Sequence, residues 1–436
     1  MHQTLKPDPK SIFNAKLFFV ALLFAAICLF LTFNLHSKSG KFNYHSEIWA
    51  DRAGYYIYLP ATFIYGFDGQ QLPDNIAVKT GDGFAVDSMG RIISKYPVGV
   101  ALMQAPFFVV FHLLAKPFGY SADGFSIIYH RMIDIAAVAW LLCGLWFLWL
   151  YLCCRLKTVA SVLTLLVIFL GTNLYFYSLK DTGMSHVFSF ALFSVLLYTS
   201  SQYTYKSSLT RVVLIGLTSG CILAVRPVNV LFLLLLLVNW WFATLRPRRI
   251  NLRHLTVMVL TGFIVLLPQL FYYKYSSGSF INYSYHNEGF DYLLSPRFVN
   301  IWFAPNNGLF LYSPVVLVGL AGLFFMQKKY PVESRVTGLG FLLISYVFAS
   351  WWSWSYGCGY GSRPFVEYFV LLSLPLGYLF EHVAGLKCKR IRFLLVSFVL
   401  MLIALNLKMI YSYDGCWYAS DWDWPAYLDL ITRPAK

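Results

Sequence analysis

Residues 47–60 read Glu47-Ile-Trp-Ala-Asp51-Arg52-Ala-Gly-Tyr55-Tyr56-Ile-Tyr58-Leu-Pro60, and they follow an uncharged apolar run at 17–35. That run is too long for the apolar core of a signal peptide, and no small-residue cleavage site follows it, so it reads as a retained first membrane span. Residues 47–60 then stand just beyond that span. Ile48, Trp49, Tyr55, Tyr56, Leu59, Phe63 and Ile64 recur at helical spacing. Tyrosine and tryptophan favour the water–lipid boundary, so the pattern predicts an amphipathic helix lying at the membrane surface. Asp51 and Tyr55 are four apart and share one of its faces.

The rest of the chain supports a membrane setting. Of 436 residues, 58% are hydrophobic and 12% charged, and the mean hydropathy is +0.61. This excludes a disordered chain, and eight scattered cysteines exclude a disulfide scaffold. A polytopic, all-α membrane protein remains. The net charge of +15 comes from short basic clusters between apolar runs, so it reports topology rather than a nucleic-acid partner.

Apolar runs that can span, or nearly so, lie at 17–35, 128–151, 158–178, 186–203, 211–225, 228–245, 255–273, 308–327, 335–352, 364–383 and 393–411. Placing every basic cluster on the cytoplasmic side requires an even number of crossings between neighbouring clusters, and from Arg155 onward the runs obey this. The segment Tyr96 to Ala115 is apolar but carries Pro97 and Pro106, and counting it as a span reverses the later topology. It is expected to be kinked, re-entrant or interfacial. About eleven net crossings result, with the N-terminus inside and the C-terminus outside. The non-apolar segments 36–96, 272–308 and 411–436 then all face outward, in a single membrane domain covering 1–436. No internal repeat with paired broken helices is evident, as a secondary transporter often has.

A carboxylate just above the headgroups suits a particular reaction. A sugar carried on a polyprenyl phosphate presents its reacting carbon at that depth. A positioned Asp can accept the proton of an attacking hydroxyl, inversion follows from attack opposite the phosphate, and cationic side chains stabilise the departing charge. The competing account is that Asp51 pairs with Arg52 or caps its helix. An Asp, three residues, then a Tyr, on a helix after the first span, resembles the first-loop motif of GT-C-type glycosyltransferases. The nearest resemblance is to family 39, which holds protein O-mannosyltransferases and lipid A aminoarabinose transferases. That motif reads Asp-Glu-x-x-Tyr, and this chain departs from it with Arg52 at the second position. Lys95-Tyr-Pro97-Val-Gly99, Arg131-Met-Ile-Asp134, Gly171-Thr172-Asn173 with Lys180-Asp181, Arg226-Pro227 and Tyr360-Gly-Ser-Arg363-Pro-Phe follow in the family's order.

The resemblance implies a GT-C-like fold with Asp51 as catalytic carboxylate and Tyr55 and Asp181 shaping its site. Arg52, Lys180, His186, Arg226 and Arg363 are the candidate contacts to the donor phosphate. Tyr58, His286, Glu288 and Tyr360 are candidates for the acceptor or the sugar. Each has a structural alternative: Lys180 and Asp181 as a pair at a helix end, Arg226 snorkelling to the interface, and Arg363 bonded to Glu367 four residues on. Cys358 and Cys416 both fall outside and are a candidate disulfide, and Asp414, Asp421 and Asp423 form an acidic tail. Glu47, four residues before Asp51, is a candidate second carboxylate.

The sequence has no phosphate-binding Gly-Lys loop, HExxH helix or GxSxG elbow, and no cytoplasmic domain for a nucleotide-sugar donor. The reading is therefore an inverting glycosyltransferase using a polyprenyl-phosphate sugar on the outer face of a bacterial inner membrane. It would act on a glycan, lipid or protein acceptor. It requires no cofactor and allows a divalent metal. The alternatives are a transporter or flippase of a lipid-linked or anionic solute, and a ligase or headgroup transferase on the same fold.

Overall fold

A computed structural model describes residues 15–35, 42–243, 251–285, 287–357, 359–413 and 423–434. The apolar runs become helices: α1 (Ala15–Leu35), then α2 (Asp51–Tyr56) in the loop that follows it, α3 (Gly99–Ala115), α4 (Ile127–Cys153), α5 (Thr158–Gly171), α6 (Leu174–Leu179), α7 (Ser185–Tyr205) and α8 (Leu209–Val225). The second half supplies α9 (Val230–Ala243), α10 (Leu252–Ser277), α11 (Phe298–Phe303), α12 (Val315–Met326), α13 (Pro331–Ala349), α14 (Phe369–Ala384), α15 (Lys389–Ser412) and α16 (Trp424–Thr432). Helices α4, α10, α13 and α15 are long and apolar enough to cross a membrane, and seven shorter helices are also apolar. Many of their Leu, Phe and Val side chains point outward. In water that surface would be prohibitive, and in lipid it is the solvent-matched face. The chain is an integral membrane protein.

Helix packing follows the small residues. Helix α4 packs on α7, α7 on α8, α8 on α10, and α12 on α14. Gly216 and Gly220, one turn apart on α8, meet Met258, Thr261 and Gly262 of α10 so closely that a Cβ at either glycine would collide. This is the small-xxx-small contact by which helices associate where lipid removes the hydrophobic drive.

Two of the apolar runs break within their length. Run 158–178 divides into α5 and α6 at Thr172, whose backbone is extended. The break is stabilised from outside, because the Asn406 amide of α15 donates to the carbonyls of Leu170 (2.8 Å) and Thr172 (3.1 Å), and Asn173 N–H donates to Ser313 Oγ (3.1 Å). Freed helix-end groups are thereby satisfied. Run 308–327 also splits, into a short turn at Leu309–Tyr312 and then α12. The segment expected to be kinked, re-entrant or interfacial is one unbroken 17-residue helix, α3, with Pro106 inside it. Gly99 at its start lies against Ala224 and Val225 at the end of α8, which brings the Lys95 turn beside Arg226.

The loop after α1 corrects one expectation. The helix begins at Asp51, but it does not lie open on the membrane surface: Arg52 to Ala61 are all buried. Three of the loop's tyrosines can go inside because their hydroxyls find carbonyls. Tyr56 donates to Gly124 O (2.6 Å), Tyr58 to Tyr96 O (2.5 Å) and Tyr65 to Asp123 O (2.7 Å). A small antiparallel hairpin, β1 (Ala85–Val86) with β2 (Ile92–Ile93), helps close the loop over them.

The α8–α10 contact is directly testable. Replacing Gly220 with Leu forces the helices apart, and overpacking of this kind costs about 1–3 kcal/mol. We expect a clearly lower unfolding temperature in lipid nanodiscs by scanning fluorimetry. A variant as stable as the parent would show that the helices do not touch there.

Candidate active site

Asp51 opens α2, and the residue before it is strained. Ala50 has φ 46° and ψ −124°, a left-handed conformation that costs an alanine about 1–3 kcal/mol. It is held by Ala50 N–H donating to Thr80 O at 2.7 Å. Both Asp51 oxygens are engaged: Tyr96 Oη donates to Oδ1 at 2.6 Å and Arg363 Nη1 to Oδ2 at 3.1 Å. Tyr96 gets this close because residue 54 is glycine, where a Cβ would run into the Tyr96 ring and Gly83 O. The Asp51 side chain stays 30% exposed, so it faces a cavity while being gripped.

Two opposed effects act on this carboxyl. Burial pushes it up, but the Arg363 charge, the hydrogen bonds from Tyr96 and Arg363, and the Lys95 charge together outweigh burial and hold it below the ordinary carboxylate value. Arg363 mirrors this. Burial alone would lower its guanidinium, and Asp51 leads the groups that raise it instead.

Two further sets of charges flank the pair. On one side Lys95 Nζ meets Glu288 Oε1 at 2.7 Å and lies over the rings of Tyr96 and Tyr285. Beside it, Arg226 Nη1 meets Glu367 Oε1 at 2.7 Å, and Glu367 Oε2 meets His186 Nδ1 at 2.9 Å. Glu367 and His186 are buried, whereas the Arg226 side chain keeps 16% of its surface exposed. Tyr55 sits among Arg226, Asp51 and Arg363; its phenol is raised first by burial, and Asp51 adds to this against the two arginines.

On the other side Arg52 Nη1 meets Asp181 Oδ1 at 2.6 Å and Nη2 donates to Tyr44 O at 2.7 Å. Lys180 Nζ donates to Tyr413 O (2.5 Å) and Ile410 O (3.2 Å) at the end of α15. Between this set and Asp51 lies a cavity of about 290 Å³, with Asp51, Arg52, Lys180, Asp181 and Arg363 in its wall. The short helix α6, set off by the break, supplies Phe176 to the cavity wall and ends at the 180–181 turn that also lines it.

The structure brings Asp51, Arg52, Tyr55, Lys180, Asp181, Arg226 and Arg363 to this centre, with Glu288 at its edge through Lys95. His186 stands behind Arg226 and is shielded by Glu367. Tyr58 and Tyr360, expected at the acceptor or sugar, are packed away. Tyr58 is turned to Tyr96 O, and fully buried Tyr360 donates to Asn406 Oδ1 at 3.1 Å. Three local pairings from the sequence are replaced by long-range ones. Asp51 meets Arg363 rather than Arg52, Asp181 meets Arg52 rather than Lys180, and Glu367 meets Arg226 rather than Arg363. Glu47 does not join Asp51: the helix starts after it, and its buried carboxylate meets His130 Nδ1 at 2.9 Å. With Glu47 turned away and both Asp51 oxygens engaged, these residues do not make a carboxylate ligand set for a metal, and no group of three His, Cys, Asp or Glu among the described residues does. His286 and the Cys358–Cys416 pair lie outside the described residues, as do Asp414 and Asp421.

Sequence reasoning missed Tyr96, Lys95 and Glu367. The first two stand in the Lys95-Tyr-Pro97 segment, whose signal was present but not read as chemistry. Glu367 was weighed only as a partner of Arg363.

No known family profile matches the sequence, and no curated protein matches it. Solved structures do. ArnT from Cupriavidus metallidurans in the apo state aligns with a TM-score of 0.55 at 13% identity, covering 92% of this chain and 65% of that one. The same protein bound to undecaprenyl phosphate aligns at 0.52 and 12% identity, over 92% and 71%. The archaeal oligosaccharyltransferase AglB from Archaeoglobus fulgidus, in complex with an inhibitory peptide and a dolichol-phosphate, aligns at 0.52 and 13% identity, over 97% and 61%. The fold is that of the GT-C glycosyltransferases. This chain spans less than two thirds of the length of apo ArnT and of AglB, 65% and 61%.

The Asp51–Arg363 pair gives a pH test. The folded value of Asp51 lies below its ordinary one, so its contribution to stability is complete above the ordinary range and is lost as pH falls through the depressed value. The stability difference between the parent and Asp51→Asn, followed from neutral pH downward, should shrink there. In an Arg363→Ala background the shrinkage should move to higher pH. An unmoved limb would mean that Arg363 does not hold the carboxylate.

Proposed function

We propose that this GT-C chain is an inverting glycosyltransferase that moves a sugar from a polyprenyl phosphate to an acceptor hydroxyl on the outer side of a bacterial inner membrane. The observation that carries the proposal is the placement of Asp51, an exposed-edge carboxylate held between a basic group of Lys95, Arg226 and Arg363 and a cavity on its other side. The undecaprenyl phosphate and dolichol-phosphate named for ArnT and AglB give the same reading support from the fold.

In the proposed reaction the acceptor oxygen bonds to the anomeric carbon as the bond from that carbon to the phosphate oxygen breaks. Asp51 takes the acceptor's proton, and the bonding pair leaves with the polyprenyl phosphate. Arg363, Arg226 and Lys95 stabilise the charge on that phosphate, and an arginine fork suits it geometrically. Glu367 and His186 fix Arg226 from behind. Tyr55 keeps water from the gap between the arginines, while Arg52 and Asp181 shape the acceptor side.

Arg363 has a double role in this scheme. A carboxylate held below its ordinary value is a weak base, because its proton affinity is reduced. When a donor phosphate draws the Arg363 guanidinium, Asp51 loses its strongest cationic neighbour and its proton affinity rises. Donor arrival thereby activates the base. The ionic residues sit at helix ends around one cleft, not in file along several helices, which supports a reaction centre over a transport path.

Asp51→Asn keeps the shape of the side chain and removes the base. We expect transfer to fall by about 10²–10⁴, read as loss of the product glycan by mass spectrometry of the cell envelope, matching a deletion strain. Native mass spectrometry should show undecaprenyl phosphate still bound. Undiminished transfer by this variant would refute the assignment.

A further inference from the structure

Resting on that glycosyltransferase reading, we propose that the cavity beyond Asp51 is an acceptor subsite for one neutral sugar ring. Its volume of about 290 Å³ is at the small end of ligand pockets. It suits a single monosaccharide unit and is cramped for a peptide segment or an acylated lipid. Trp49, Phe176, Tyr413 and Tyr44 line it. Phe176 and Tyr413 meet edge to face with ring centroids 5.6 Å apart, which makes a rigid apolar wall of the kind that receives the C–H face of a sugar.

The charges decide between a neutral and an anionic acceptor. Each charge in the wall is already answered within the protein. Asp51 is matched by Arg363 and Asp181 by Arg52. Lys180 is matched by two carbonyls at the C-terminal end of α15, the negative pole of that helix. A phosphate or uronate entering here would meet two carboxylates and three cations that are each already bonded, and would have to displace one of those bonds to gain a cation. A neutral polyhydroxyl group loses nothing of the kind. It finds acceptors on Asp181 and Asp51 and donors on Arg52 and Lys180, all without separating charge. Asp51 closes one side of the cavity, so a hydroxyl of the seated ring can point at the residue that would take its proton. The sugar-binding role thus falls to Trp49, Phe176, Arg52 and Asp181.

Saturation-transfer NMR on the full chain in lipid nanodiscs tests this, with methyl glycosides of mannose, glucose, galactose and N-acetylglucosamine as probes and inorganic phosphate as competitor. We expect at least one neutral glycoside to bind, phosphate to leave it in place, and Trp49→Leu and Phe176→Leu each to reduce the signal at least about fivefold. Both variants should hold undecaprenyl phosphate as the parent does, which shows that they are folded. Displacement by phosphate, glycoside binding unchanged in both variants, or no glycoside binding by a parent that retains undecaprenyl phosphate overturns the acceptor assignment alone. A parent that fails to bind undecaprenyl phosphate takes down the donor reading and this inference with it.

Discussion

The Asp51–Arg363 ion pair joins residues 312 positions apart, and the arrangement of the molecule serves to make it. The loop after α1 folds back on itself so that α2 begins beside the 363 turn. Gly54 lets the Tyr96 ring come over that helix. Gly99 seats the start of α3 against the end of α8, which brings Lys95 and Arg226 to the same end of the bundle. The 350–368 turn between α13 and α14 then delivers Arg363 and Glu367 together. None of these steps is chemical, yet together they place one carboxylate, one phenol and three cations at the same end of the bundle.

Electrostatics here is arranged in pairs, and the pairs differ in how tightly they are sealed. Glu367 with His186 and Arg226 is buried, and breaking a pair of that kind by removing one partner typically costs about 3–5 kcal/mol. It behaves as a fixed part. The Asp51–Arg363 pair, with side chains 30% and 21% exposed, is looser and opens on a cavity. In the proposed reaction this pair exchanges partners, and its greater exposure lowers the barrier to doing so. The deep pair holds one arginine still while the shallow pair is free to yield the other.

Much of the fold was legible in the sequence because lipid imposes length and apolarity on each helix, and runs such as 128–151 and 393–411 can have few other readings. The break after α5 was only partly legible. Gly171-Thr172-Asn173 resembles a span end, but the partner that stabilises the interruption, Asn406, is more than 230 positions away. Asp51 stood out because its motif is local. Its partners did not, since Tyr96 and Arg363 become neighbours only through tertiary packing, and helical spacing favoured Arg363 with Glu367 instead. Tyr58 and Tyr360 illustrate the reverse error. A tyrosine in an outer loop reads as interfacial or sugar-binding until a carbonyl is found for its hydroxyl, and only the folded chain shows that carbonyl.

The absence of a second acid beside Asp51 gives the site its character. Arg52 neutralises Asp181 across the cavity, Glu47 is turned to His130, and Asp51 is poised by a guanidinium. The most direct test is a cryo-electron microscopy structure of the chain in lipid nanodiscs with undecaprenyl phosphate. The account requires the phosphate among Arg363, Arg226 and Lys95, with Arg363 drawn away from Asp51. A phosphate bound elsewhere, or bound while Arg363 still grips Asp51, would contradict it.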